Sequence, residues 1–131
     1  MVTEVCLLVG ADGTMLWREV SGNPSALPDS PGRWAAIWRL RDRLAEIAHT
    51  HPHGPLAFST EDLTTMAAID AALGRPLRYA VVTPASMLRR EPSGVIRVEN
   101  AEPAWVADLR AGCATEEPTE EPTALEERWP S

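Results

Sequence analysis

Three histidines fall within five residues, His49, His51 and His53, and Ser59 and Asp62 follow shortly after. Reduced to its chemistry the stretch reads His-x-His, seven residues, Ser, two residues, Asp. On a strand, residues two apart point to the same face, so His49 and His51 project together. An aspartate soon after, where a helix begins, can fold back and complete a set of three. Two imidazole nitrogens and one carboxylate, with a fourth position open, suit a catalytic zinc rather than a structural one, with bonds of about 2.0–2.1 Å. The expectation is one Zn2+ per chain, held by His49, His51 and Asp62. His53 shares the strand parity, but Pro52 and Gly54 flank it and put it in a loop. It is therefore left out of the ligand set. Ser59-x-x-Asp62 is also close to a helix capping box, so both residues have a structural use beside the chemical one.

The whole pattern resembles the JAMM motif of MPN (JAB) domain zinc metalloproteases. That motif is Glu, a variable gap, His-Ser/Thr-His-Pro, then Ser-x-x-Asp. The match covers His49, Thr50, His51, Pro52, the seven-residue gap, Ser59 and Asp62. The resemblance implies a general base near the start of the first core strand, and Glu4 in Glu4-Val5-Cys6-Leu7-Leu8-Val9-Gly10 occupies that place. It also gives Ser59 a hydrogen-bonding role at the tetrahedral intermediate. A carboxylate inside an apolar strand is costly unless it is used, which independently draws attention to Glu4. Two other carboxylates compete. Glu46 lies three residues before His49 and so faces away from it on a regular strand. Glu19, on the second strand, remains the alternative base.

The fold implied by the resemblance is MPN/JAB-like, a cytidine-deaminase-like sandwich with a curved sheet flanked by helices. The function implied is that of a metallo-isopeptidase, deubiquitinase-like and of the compact prokaryotic, bacterial type. It would cleave peptide or isopeptide bonds at the C-terminus of a ubiquitin-like protein, for deconjugation or precursor processing. E1-like and E2-like conjugation enzymes are the implied partners. Two further readings keep the motif. RadC-like proteins share His-x-His-Pro and Ser-x-x-Asp, and non-catalytic MPN scaffolds bind a protein partner instead of cleaving one.

The elements that must position these residues follow from the pattern. Thr3–Val9 reads as a buried strand, Gly10–Gly13 as a turn, and Met15–Val20 as the second arm of a hairpin. Ser30-Pro31 opens a helix. Its expected apolar face is Trp34, Ile37, Trp38 and Leu44, with Arg33, Arg39, Arg43 and Asp42 on the solvated side. Ala45–His51 is a strand entering the motif, and Pro52–Pro55 is a loop. The next helix starts at Ser59-Thr60-Glu61-Asp62, buries Met66, Ile69 and Leu73, and ends at Gly74 ahead of Pro76. Strands over Leu77–Thr83 and Val95–Val98 and a short helix over Pro103–Arg110 complete a mixed α/β order with a largely antiparallel sheet.

Composition bounds the rest. The 131 residues, 44% of them hydrophobic, suffice for one domain with a proper core. The expected division is a metalloprotease domain over 1–113 and a disordered acidic tail over 114–131. The tail holds six Glu and one Arg, so it carries -5 of the net charge of -7. No basic stripe is available to follow a phosphate backbone, which disfavours nucleic acid. No apolar run approaches the length of about 20 residues that spans a bilayer, so no membrane partner is expected. The start lacks a basic n-region, and Cys6 and Cys113 form no CxxC pair. A reduced, cytoplasmic protein is the simplest expectation. All twelve basic residues are Arg. Two explanations compete: GC-rich codon usage, which is the simpler, and protection of a deconjugating enzyme from modification on its own lysines.

Overall fold

The computed structural model describes residues 4–21 and 31–114. The expected acidic tail lies outside the described residues from 115 on. The sequence Glu-Val-Cys-Leu-Leu-Val-Gly forms β1 (Glu4–Gly10), and every one of its residues is buried. A strand buried on both faces must be interior, and β1 lies between two neighbours. At the turn after it, Gly13 takes φ 86°, and the Thr14 amide donates to Asp12 Oδ1 at 3.0 Å. The chain then returns as β2 (Met15–Ser21), antiparallel to β1.

The remaining elements are α1 (Pro31–Arg39), β3 (Leu44–Thr50), α2 (Thr60–Leu73), β4 (Arg78–Val82), β5 (Met87–Arg90), β6 (Ile96–Val98) and α3 (Trp105–Ala114). The six strands form one sheet in the order β2-β1-β3-β4-β5-β6. Only β3 and β4 pair in parallel. Parallel neighbours need a crossover, and α2 supplies it. The fold is thus mixed α/β, with a largely antiparallel sheet.

Strand alternation divides the core into two layers. Val5, Leu7 and Val9 join Ala48, Ala80, Val82 and Met87 beneath Trp105, Val106 and Leu109 of α3. Cys6 and Leu8 face the other way, with Ile47 and Tyr79, under Ala36 and Ile37 of α1 and Met66 and Ile69 of α2. Each helix layer therefore closes one face of the sheet. Glu4 has the parity of Cys6, and His49 that of Ile47. All lie on the α1/α2 side.

Three expectations require correction. Leu44 opens β3 and does not extend the α1 stripe. The face α1 buries is Arg33, Ala36 and Ile37, rotated from the expected one, so Arg33 is buried and not solvated. Trp38 is 54% exposed, and the Arg41 guanidinium lies 4.1 Å from its ring centroid. An exposed aromatic with a cation over its face needs no core. A further strand, β5, was not among the expected elements; its sequence is Met-Leu-Arg-Arg, with two arginines in four residues. Arg89 turns inward on the α3 side, where its Nε and Nη2 donate to Glu46 at 3.0 and 2.8 Å. A paired charge allows burial that polarity alone would oppose.

Candidate metal centre

β1 and β3 run antiparallel, with Cys6 opposite His49. Glu4, two residues before Cys6, and His51, two residues after His49, therefore lie at the same end of adjacent strands. β3 ends at Thr50, but the His51 amide still donates to Val82 O at 2.9 Å, so His51 prolongs the pairing with β4. The chain then turns, with Gly54 N donating to His51 O at 3.0 Å and Gly54 at φ 73°. That turn brings Pro55 O within 2.9 Å of His51 Nδ1. A carbonyl only accepts, so Nδ1 carries the proton. In the neutral ring Nε2 is then a bare lone pair, as a metal ligand requires.

α2 delivers the carboxylate. Ser59 is its N-cap, with extended backbone, and its Oγ accepts from the Asp62 amide at 2.9 Å. Asp62 Oδ2 accepts from the Ser59 amide at 2.8 Å, completing a capping box. This reciprocal pair fixes Asp62 in the first turn, facing β3.

The three side chains converge. His49 Nε2 lies 3.2 Å from His51 Nε2 and 3.2 Å from Asp62 Oδ1, and His51 Nε2 lies 3.4 Å from Asp62 Oδ2. Donor atoms about 2.0–2.1 Å from a tetrahedral centre stand about 3.3–3.4 Å apart. The His49–His51 separation is close to such an edge, and each imidazole meets a different oxygen of Asp62 at a similar distance, so the three side chains are grouped closely enough to hold one small cation. All three residues are half-buried, which leaves an approach from solvent. His53 is exposed and outside the group.

The electrostatics follow from this convergence. Burial alone would raise the Asp62 carboxyl, but hydrogen bonds from His49, His51 and the Ser59 backbone outweigh it and hold it far below the usual range. The hydrogen bond to Asp62 raises His51 against the opposing effect of burial. Glu4 is 3% exposed, and its Oε1 has no hydrogen-bond partner. Burial pushes its carboxyl up to about 7, moderated by His51 and reinforced by Asp62. A carboxyl that senses both residues faces the same space as they do.

That space is a cavity of about 680 Å3 between α1, α2 and the sheet. Glu4, His49, His51, Ser59 and Asp62 all line it. The structure thus brings the five candidate site residues to one cavity. Of the rival carboxylates, Glu46 is buried in its pair with Arg89 on the opposite face. Glu19 sits opposite Cys6 on β2 and does not line the cavity.

Two cavity features were not read from the sequence. Arg33 lines the cavity and hydrogen-bonds Cys6, whose thiol burial pushes up to about 12. Cys6 is a free thiol. Tyr79, also in the wall, donates to Asp70 Oδ1 at 2.8 Å. The spacing of Arg33 from Ala36 and Ile37 signals their common face, but a charged residue normally argues against burial. Among the described residues no helix is long and apolar enough to cross a membrane. Comparison with known proteins gives neither a family model nor a curated protein that matches this chain.

Proposed function

We propose that the protein is a zinc-dependent amide hydrolase of the JAMM/MPN type. Its substrate would be a peptide or isopeptide bond at the C-terminal tail of a ubiquitin-like protein. The observation that carries this reading is the convergence of His49 Nε2, His51 Nε2 and the Asp62 carboxylate to within 3.2–3.4 Å of one another, with the buried Glu4 carboxyl lining the same cavity. The motif resemblance supplies the substrate class and the MPN-type fold.

The zinc ligands are His49 and His51 through Nε2 and Asp62 through a carboxylate oxygen. When bound, the metal supplies Lewis acidity, polarising a substrate carbonyl and acidifying water to a pKa of about 7. Glu4 lines the same cavity, and its carboxylate would take a proton from that water and deliver it to the leaving amine. The Ser59 hydroxyl accepts from Asp62 N, and its own proton remains to be donated to a developing oxyanion. Pro55 O holds the His51 tautomer throughout.

Elemental analysis of purified protein should find about one zinc per chain. His49→Ala, His51→Ala and Asp62→Ala should each lose most of it. Failure to take up zinc on addition of the metal sinks the site. Zinc without cleavage of ubiquitin-like fusions removes the substrate class and leaves the metal centre standing.

A further inference from the structure

The ladder between β1 and β3 runs from Gly10 opposite Leu44 to Cys6 opposite His49. There it stops, before reaching Glu4. The next amide, that of Val5, is buried and must find a partner. It donates to the side chain of Thr50, whose Oγ1 lies 2.9 Å away. Thr50 is the residue between the two histidines, and it is 2% exposed. It has the parity of Ala48 and so stands on the α3 side, behind the metal ligands.

We propose that Thr50 is a positioning residue that sets Glu4 against the metal centre. This rests on the metal-hydrolase reading above. The Thr50 hydroxyl ties the backbone of the residue after Glu4 to the backbone between His49 and His51. On its other side Glu4 is opposite Ser21 of β2, so β2 fixes it relative to the hairpin only. The Val5–Thr50 bond carries that position across to the ligand strand. The β1–β3 ladder itself ends at Cys6, so among the described residues this bond extends the tie between the two strands toward Glu4. A displacement of about 1 Å at a catalytic group is enough to cost about 10²-fold in rate. The metal ligands do not depend on this bond. His49 and His51 are held by β4 pairing and Pro55 O, and Asp62 by the capping box.

The test uses the full chain with cobalt(II) as the probe and three readouts: cobalt stoichiometry, the visible spectrum of the bound cobalt, and hydrogen exchange at the Val5 amide. Thr50→Val keeps the shape and removes the hydroxyl; Thr50→Ser keeps the hydroxyl. Thr50→Val should bind cobalt with unchanged stoichiometry, and its spectrum should shift in the same direction as that of Glu4→Gln. Combined with Glu4→Gln it should add nothing further, since both changes act on one group. Val5 should exchange about tenfold faster in Thr50→Val, the worth of one hydrogen bond. Thr50→Ser should restore the wild-type spectrum and protection. A Thr50→Val spectrum equal to wild type, additivity with Glu4→Gln, or loss of cobalt from Thr50→Val each overturns the positioning role. So does an unprotected Val5 amide in the wild type and Thr50→Ser, a readout that stands even if the valine variant does not fold. Wild-type protein that takes up no cobalt overturns the metal reading and this inference with it. Uptake with an unresponsive Thr50 overturns this inference alone.

Discussion

Glu4 combines two features that rarely coexist without a use: near-complete burial and a carboxylate oxygen with no hydrogen-bond partner. Burial raises its carboxyl in the folded protein to about 7, above the ordinary glutamate value of 4.5. A carboxyl raised in this way folds more readily when protonated. Its cost is absent at pH below the unfolded value, grows as pH rises, and is complete above about 7. In metal-free protein Glu4→Gln should therefore be more stable than wild type at pH 8, by up to about 3 kcal/mol, and equal to it near pH 4. Urea melts at the two pH values measure this, and a pH-independent difference would refute the assignment. With zinc bound, the same substitution should retain the metal and lower the cleavage rate by about 10²–10⁴. Full activity of Glu4→Ala with a dead Glu19→Ala would transfer the role to the second strand. Metal affinity has its own pH dependence. The hydrogen bond to Asp62 raises His51 in the metal-free fold, so zinc must displace a proton that is held more tightly than in an ordinary histidine. Affinity should fall as pH drops through that raised value, which zinc titrations at pH 8 and 6 will record.

The element that matters most is α2, because its first turn is both a cap and a part of the site. Replacing Ser59 by Ala removes the acceptor for the Asp62 amide and should cost about 1 kcal/mol in stability. Asn caps a helix as well as Ser but has no hydroxyl. Ser59→Asn should therefore keep the stability and, if the hydroxyl serves the reaction, still lose rate. Thermal melts and kinetics together separate the two roles, and an Asn variant with full activity leaves Ser59 as a cap only. The legibility of the site in the sequence follows from these elements. His49, His51 and Asp62 are close in the chain, and a strand, a turn and a cap suffice to bring them together, so spacing reveals them. Glu4 reaches them only through the β1–β3 pairing, a contact over more than forty residues that no local pattern encodes. Most element types were legible where hydrophobic period was clear, as in β1 and α2. Arg33 and β5 were not, because Arg33 is buried and Arg89 is drawn partly inward by Glu46, surroundings that only the tertiary fold provides.

At the scale of the whole molecule the absence of lysine acquires a structural component. Arg89 uses two nitrogens on Glu46 and a third on Glu99, at 3.3 Å. Arg110 joins α3 to the turn between β4 and β5. It donates to Thr83 O and Ser86 O at 2.9 and 3.2 Å while gripping both oxygens of Glu102. Arg75 Nη2 bridges Arg41 O and Leu44 O, at 2.7 and 2.8 Å, where α1 gives way to β3. A lysine ammonium is a compact charge and cannot span such planar, multi-acceptor sites. Arg39 and Arg43, by contrast, are exposed. Arg89→Lys and Arg110→Lys should each lower stability by about 1–3 kcal/mol, the range for hydrogen bonds to charged groups. Arg39→Lys and Arg43→Lys should stay within about 0.5 kcal/mol of wild type, as exposed substitutions do. Denaturant midpoints at constant m-value measure all four. If the networked and exposed positions respond alike, the fork geometry does not explain the arginines. If they divide as expected, geometry accounts for the arginines that hold the sheet and α3 together. Codon usage or protection from conjugation then has only the exposed positions left to explain.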